Sequence, residues 1–197
     1  MNEKRKTKEE ILDVALELFS KDGFDATSLS DISSLLKISK AALFKHFSSK
    51  EEILNSLVSL MNEEDRKRAG DMNVPQYRKT EEESQYRDVK KTDFLYYALS
   101  QFEYWTENKR SCEYRRLLSL ERFKREELKH LWEANFVTGP LSYTKDVMES
   151  LGIKDYEDKA LELWSMMFFS YFLFDSGEDG EKIKANIKKK MEIILEV

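Results

Sequence analysis

The chain has 197 residues, 36% of them charged and 41% apolar, with six glycines, two prolines and a formal net charge of −5. That length supports one large domain or two modest ones with real cores, and the scarcity of glycine and proline suits an all-helical protein. A single cysteine, Cys112, excludes an internal disulfide, and with only His46 and His130 beside it no structural metal and no cofactor is expected.

The N-terminal arm carries Lys4, Arg5, Lys6 and Lys8 and is followed by no long apolar segment, so no secretory signal is expected. Such an arm is either solvated or touches phosphate or the minor groove. Thr7 with Glu10 reads as a capping box, and Ile11, Leu12, Ala15, Leu16 and Phe19 form the inward stripe of a first helix that Gly23 ends. Ser28, three residues before Asp31, predicts the start of a second helix whose inward stripe is Leu29, Ile32, Leu35 and Leu36. After a break at Lys37 and Ile38, Ser39 is the N-cap of a third helix over residues 40–47. Leu43 and Phe47 point inward there, while Ala41, Ala42 and Lys45 take the opposite side with Phe44 and Ser48 flanking them.

Two short helices with a tight turn, and an outer face of small residues and lysine, are how helix-turn-helix proteins enter a major groove. Lys40, Lys45 and Lys50 can reach guanine or phosphate. Read from the residues alone, the same pattern equally fits a helical hairpin inside an ordinary bundle. Net charge does not separate the two, because residues 1–50 hold nine lysines and arginines against eight acids. A local patch is what phosphates feel within a screening length of about 8–10 Å.

The gapless stretch TKEEILDVALELFSKDGFDATSLSDISSLLKISKAALFKHFSSKEEIL, beginning at Thr7, resembles the DNA-binding domain of the TetR family of transcriptional repressors. The resemblance includes the Gly-Phe turn, the Thr-Ser start of the second helix, the Ser-Lys start of the third and the Phe-x-x-Lys-Glu-Glu entry into the fourth. It implies that Thr27, Ser28, Ser39, Lys40, Phe44, His46 and Lys50 meet phosphates and that Lys40, Ala41, Ala42 and Lys45 face bases. Two positions depart from the family pattern. Lys37 stands where glycine is usual, at a turn position that often needs φ > 0, at a cost of roughly 1 kcal/mol. Phe44 stands where tyrosine is usual, so a phenol-to-phosphate hydrogen bond would be absent.

Ser49 caps a fourth helix with the stripe Ile53, Leu54, Leu57, Val58 and Met61. Residues 69–93 are charged and poor in apolar residues, and read as a domain boundary. Residues 94–105 return to a helical pattern with Phe94, Tyr97, Ala98, Gln101 and Trp105 on one face and Leu95, Leu99 and Phe102 on its neighbour. That face is either plain core or the wall of an effector pocket formed by Phe94, Tyr97, Gln101 and Trp105, with Trp132, Phe136 and Met167. Residues 113–123 and 126–152 are further helical stretches, the second kinked or broken by Pro140, with His130 exposed. Residues 156–174 become apolar nearly all round from Trp164 onward, and Ile183, Ile187, Met191 and Ile194 repeat as one stripe after a turn. Either this is the central helix of a monomer, or the last two helices pair with a second copy through Trp164, Phe168, Tyr171, Phe172, Ile187, Met191 and Ile194.

The expectation is an all-α protein of about nine helices. Residues 1–50 form a three-helix helix-turn-helix domain, residues 50–68 a linking helix and residues 69–197 a helical effector-binding and dimerisation domain. With no signal segment and no apolar run long enough to cross a bilayer, a cytoplasmic location with no membrane partner is expected. The resemblance implies a homodimeric transcriptional regulator, a repressor of a palindromic double-stranded operator, released by a small apolar or aromatic effector. A helical interaction protein that has lost DNA binding is the alternative. An enzyme is not expected, because Cys112, His130 and the pair Glu126 and Glu127 lie in no recognisable catalytic setting.

Overall fold

The computed structural model of the protein describes residues 3–71 and 89–196. Among the described residues there are ten helices and no strand: α1 (Glu3–Asp22), α2 (Leu29–Leu36), α3 (Lys40–Phe44), α4 (Lys50–Asp71), α5 (Lys91–Thr106), α6 (Lys109–Glu121), α7 (Glu126–Phe136), α8 (Thr138–Ser150), α9 (Tyr156–Asp175) and α10 (Gly180–Leu195). Capping chemistry sets several of the starts. Ser28 and Ser39 cap α2 and α3, the Ser49 hydroxyl accepts the Glu52 amide at 3.1 Å, and Asp179 accepts the amides of Glu181 and Lys182.

Some predicted boundaries moved. Helix α1 begins at Glu3, so Thr7 lies inside it and is not its cap. Helix α3 ends at Phe44 and not at residue 47, although Lys45 keeps right-handed backbone angles and the Phe47 amide still bonds to the Leu43 carbonyl. Helices α4 and α5 take both ends of the stretch read as a boundary, whose middle, residues 72–88, lies outside the described residues. The single helical stretch expected over residues 126–152 is two helices, which raises about nine to ten. The chain leaves helical angles at Val137, and Pro140 sits in the first turn of α8, where its missing N–H costs nothing. Gly139 permits this join: a Cβ there would lie 2.1 Å from the Ala134 carbonyl oxygen.

The chain divides into two units, one of residues Met1–Arg68 with Lys109–His130, the other of Ala69–Asn108 with Leu131–Val197. In the first, the predicted α1 stripe of Ile11, Leu12, Ala15, Leu16 and Phe19 is buried, as are Ile32, Leu43, Phe47, Ile53, Leu54, Leu57 and Met61. Leu35 departs from its predicted inward face: it is 51% exposed, and Ser33 is buried in its place. Helix α6 packs along α1, with Tyr114, Leu117 and Leu118 buried. Arg110 pairs with Asp13 of α1 at 2.8 Å and also with Glu64 of α4, and Lys109 pairs with Glu17 at 3.0 Å.

The second unit is built from α5, α8, α9 and α10 around a ring cluster. Trp105 and Trp132 each meet Phe136, at 4.7 and 4.8 Å between ring centroids, and Phe102 stacks parallel to Tyr171. The inward line of α5 is Phe94, Ala98, Phe102 and Trp105, so Phe102 joins the first predicted face while Tyr97 and Gln101 are only half-buried. Lys184 of α10 is held by Glu103 at 2.8 Å and Glu181 at 2.7 Å. These hydrogen bonds, with the charge of Glu107 beside them, raise its pKa.

Four residues expected between copies are instead covered by their own chain. Tyr171, Ile187, Met191 and Ile194 are buried because α10 turns its apolar stripe onto α9 and α5. Trp164 and Phe168 are half-buried, the Trp164 indole donating to the Phe136 carbonyl at 3.1 Å, and Phe172 stays exposed. The apolar residues left in solvent on these helices are Leu161, Phe169 and Phe172 of α9 and Ile193 of α10.

Candidate nucleic-acid interface

Five residues make up α3, and two anchors behind it fix which way it faces. Leu43 and Phe47 are fully buried, while Lys40, Ala41, Phe44 and Lys45 are exposed and Ala42 and His46 half-buried. The turn before it is closed by Lys37, which adopts φ 57° and ψ 38° and whose amide bonds to the carbonyls of Ser33 and Ser34. A left-handed residue ends α2 there as glycine would, and the Ile38 amide returns to the Ser33 carbonyl at 3.0 Å. The α2 N-terminus is fixed by a reciprocal box. The Asp31 carboxylate accepts the Ser28 amide at 2.8 Å and its hydroxyl at 2.6 Å, and the Ser28 oxygen accepts the Asp31 amide at 3.2 Å. Those bonds from Ser28 hold the Asp31 carboxyl below the usual carboxylate range. Glu52 is held low in the same way by the Ser48 hydroxyl and amide.

Several of the residues expected to meet phosphate serve the scaffold. Thr27 is buried and its hydroxyl donates to the Gly23 carbonyl at 3.0 Å. Lys50 is half-buried, and its ammonium donates to the carbonyls of Phe24 at 2.5 Å, Thr27 at 2.7 Å and Asp25 at 3.4 Å, lying 4.2 Å from the Phe24 ring centroid. It therefore ties the start of α4 to the loop that leads into α2. The Ser39 oxygen accepts the Ala42 amide at 3.1 Å. Lys40, Ala41, Phe44 and Lys45 remain as the outward surface.

Sequence reading missed what sets that loop from behind. Glu121, at the end of α6, is fully buried and accepts the Phe24 amide at 2.9 Å, with Lys124 at 3.6 Å and Arg125 at 4.0 Å. Arg125 also reaches Glu51 at 3.2 Å and lies 4.0 Å from the Phe24 ring centroid. A carboxylate at the helical core spacing of Tyr114, Leu117, Leu118 and Glu121 was the available signal.

Residues 11–57 match the family model described as bacterial regulatory proteins, tetR family. Residues 11–57 are therefore similar to the N-terminal domain of that family. The chain is also 47% identical over 51 residues to the biofilm operon icaADBC HTH-type negative transcriptional regulator IcaR of Staphylococcus epidermidis, and 45% identical over 51 residues to IcaR of Staphylococcus aureus strain Newman. The match takes in 26% of this chain and spans only 28% and 27% of the length of those curated relatives. The fold extends further. A putative TetR-family transcriptional regulator from Mesorhizobium loti superposes with a TM-score of 0.64 over 100% of this chain and 98% of that one, at 17% identity. A putative transcriptional regulator from Saccharomonospora viridis in complex with choline gives 0.64 over 95% of this chain and 96% of that one, at 16% identity. The described residues thus share the all-helical fold of these proteins.

The second unit presents a groove of about 340 Å³ between α5 and α10, and none of Phe94, Tyr97, Gln101, Trp105, Trp132, Phe136 and Met167, the expected pocket wall, is among its lining residues. Tyr96, Leu99, Ser100, Glu103, Lys184 and Lys188 are among its lining residues. Among the described residues, no group of three or more histidine, cysteine or acidic side chains is placed to hold a metal, and no helix is long and apolar enough to cross a membrane.

Proposed function

We propose that the protein is a sequence-specific, DNA-binding transcriptional regulator that works as a homodimeric repressor in the cytoplasm. The observation that carries this reading is the outward face of α3, with Lys40, Ala41 and Lys45 in solvent and Leu43 and Phe47 locked behind them inside a TetR-type domain. Small residues let the helix approach base edges, and the lysines supply donors to guanine and phosphate. Repression is supported by the names of the IcaR relatives, which are negative transcriptional regulators.

Residues 1–50 are the DNA-binding domain in this proposal, α4 is the link, and residues 69–197 hold the effector site and the contact between copies. The exposed apolar residues Leu161, Phe169 and Phe172 of α9 with Ile193 of α10 supply that contact, in place of the residues already covered within the chain. Two copies related by a two-fold axis then present α3 to half-sites about one DNA turn apart, or a small multiple of it. A small-molecule effector need favour the DNA-incompetent state by only ten- to a hundredfold, about 1.4–2.7 kcal/mol, to release much of the operator. Choline in the Saccharomonospora viridis neighbour supports the idea that this fold accommodates such a ligand.

The test is a mobility shift on DNA upstream of the protein's own gene over a salt series. Sequence-specific binding below micromolar concentration that weakens with salt is expected, and its absence would overturn the proposal. Replacing Lys40 or Lys45 by Ala should weaken specific binding more than non-specific binding.

A further inference from the structure

Resting on that reading, we propose that α3 reads thymine methyl groups through Phe44, with the small Ala41 beside it letting the base edge approach. Successive residues of a helix are set about 100° apart, so the exposed arc of α3 runs in the order Lys40, Phe44, Ala41, Lys45. Two cations therefore bracket an apolar strip. Phe44 is 50% exposed although it is a large ring, and Ala41 is exposed beside it. Its neighbour one residue back, Leu43, is fully buried, so the ring is turned away from the core by the anchoring of the helix itself.

The chemistry of this segment narrows what it can recognise. Between Ser39 and Ser48 there is no Arg, Asn, Gln, Asp or Glu. Adenine, which is read by a paired donor and acceptor from Asn or Gln, and cytosine, whose amino group needs an acceptor such as a carboxylate, have no such partner on this helix. The Ser39 oxygen is already taken by the Ala42 amide. Lysine ammoniums can address guanine, and the major-groove feature left for an apolar strip is the C5 methyl of thymine. Phe44 also lacks the hydroxyl with which a tyrosine would donate to phosphate, which leaves its exposed edge without a polar task.

The probe is a duplex recovered by the protein from a random-sequence library, in which each thymine is replaced in turn by deoxyuridine. This removes one methyl and leaves base pairing unchanged. At one or more positions of each half-site the affinity should fall about fourfold, the value of one buried methyl. In the Phe44→Ala variant the same replacement should have no further effect at those positions. Recovery of a defined sequence that tolerates deoxyuridine everywhere would overturn the inference and leave the regulator reading standing. So would a methyl effect of equal size in the parent protein and in Phe44→Ala, since the contact would then be made elsewhere. Recovery of no sequence at all would overturn the regulator reading, and this inference with it.

Discussion

Glu121 should be worth more to the first unit than any single surface charge, and the structure says why. Its side chain is fully buried, and one oxygen accepts the Phe24 amide at 2.9 Å. In Glu121→Ala that amide is buried without an acceptor, at a cost of about 1–3 kcal/mol. The vacated space adds about 1 kcal/mol if the surroundings do not close in. Relief from burying a charge offsets part of this, because Lys124 and Arg125 keep Asp25 as a partner and Arg125 keeps Glu51. A net loss of about 2–3 kcal/mol is expected. Glu121→Gln keeps an acceptor oxygen and nearly the same volume, and should cost about 1 kcal/mol or less.

Urea unfolding followed by helical circular dichroism gives the global difference, and hydrogen exchange at the Phe24 amide gives the local one. Exchange there should quicken in Glu121→Ala and stay near the parent rate in Glu121→Gln. Equal losses in the two variants would show that charge, and not the hydrogen bond, matters at this site. A loss under about 0.5 kcal/mol in Glu121→Ala would refute the reasoning altogether. Because Lys50 holds the carbonyls of Phe24, Asp25 and Thr27, any slackening at Phe24 is passed to the entry of α2.

Lys37→Gly should stabilise the domain by about 0.5–1 kcal/mol, since the left-handed cost of a side chain exceeds the extra entropy that glycine loses; a lower melting temperature would count against it. Gly139→Ala places a Cβ 2.1 Å from the Ala134 oxygen and should lower the melting temperature by several degrees, with the α7–α8 join as the cause. Acid should loosen the start of α2. The folded-state pKa of Asp31 lies below its unfolded value, so its contribution is full at neutral pH and is lost as pH falls through the carboxylate range. Asp31→Asn should therefore flatten the acid limb of a stability profile between about pH 5 and pH 2, and an unchanged slope there would exclude the box as its source.

How much of this could be read from the chain differed between the two units, for a physical reason. In residues 11–61 α2, α3 and α4 each start at a serine cap and the stripes of α1, α3 and α4 are narrow, so spacing names most of the buried residues there, whereas α2 buries only Ile32 of its predicted stripe. Lys37 was recognisable only through the resemblance, in which glycine is usual at this turn, and its backbone is indeed left-handed. Glu121 was hidden because a carboxylate at a core position is identifiable only once its partner is known, and Phe24 lies 97 residues away. Lys50 was misleading in the opposite sense, since an exposed-looking cation at a helix start found three carbonyls and an aromatic ring in its own domain.

In the second unit the apolar pattern is nearly continuous, and periodicity then says that a helix is covered without saying by what. Ile183, Ile187, Met191 and Ile194 form a clean stripe, but the same stripe serves equally against a second chain or against α5 and α9. The choice falls to the neighbours: α9 is apolar on more sides than α10 can cover, so α10 takes one side and Leu161, Phe169 and Phe172 are left on another. Phe169 at 59% exposure and Ile193 at 63% are costly in water at about 25 cal/mol per Å² of apolar surface. That residual cost, and not the stripe the sequence advertises most clearly, is the force available to the proposed contact between copies. A charge placed at Phe169 should therefore shift a dimer toward monomer in sedimentation, whereas the same charge at Ile187 should unfold the unit.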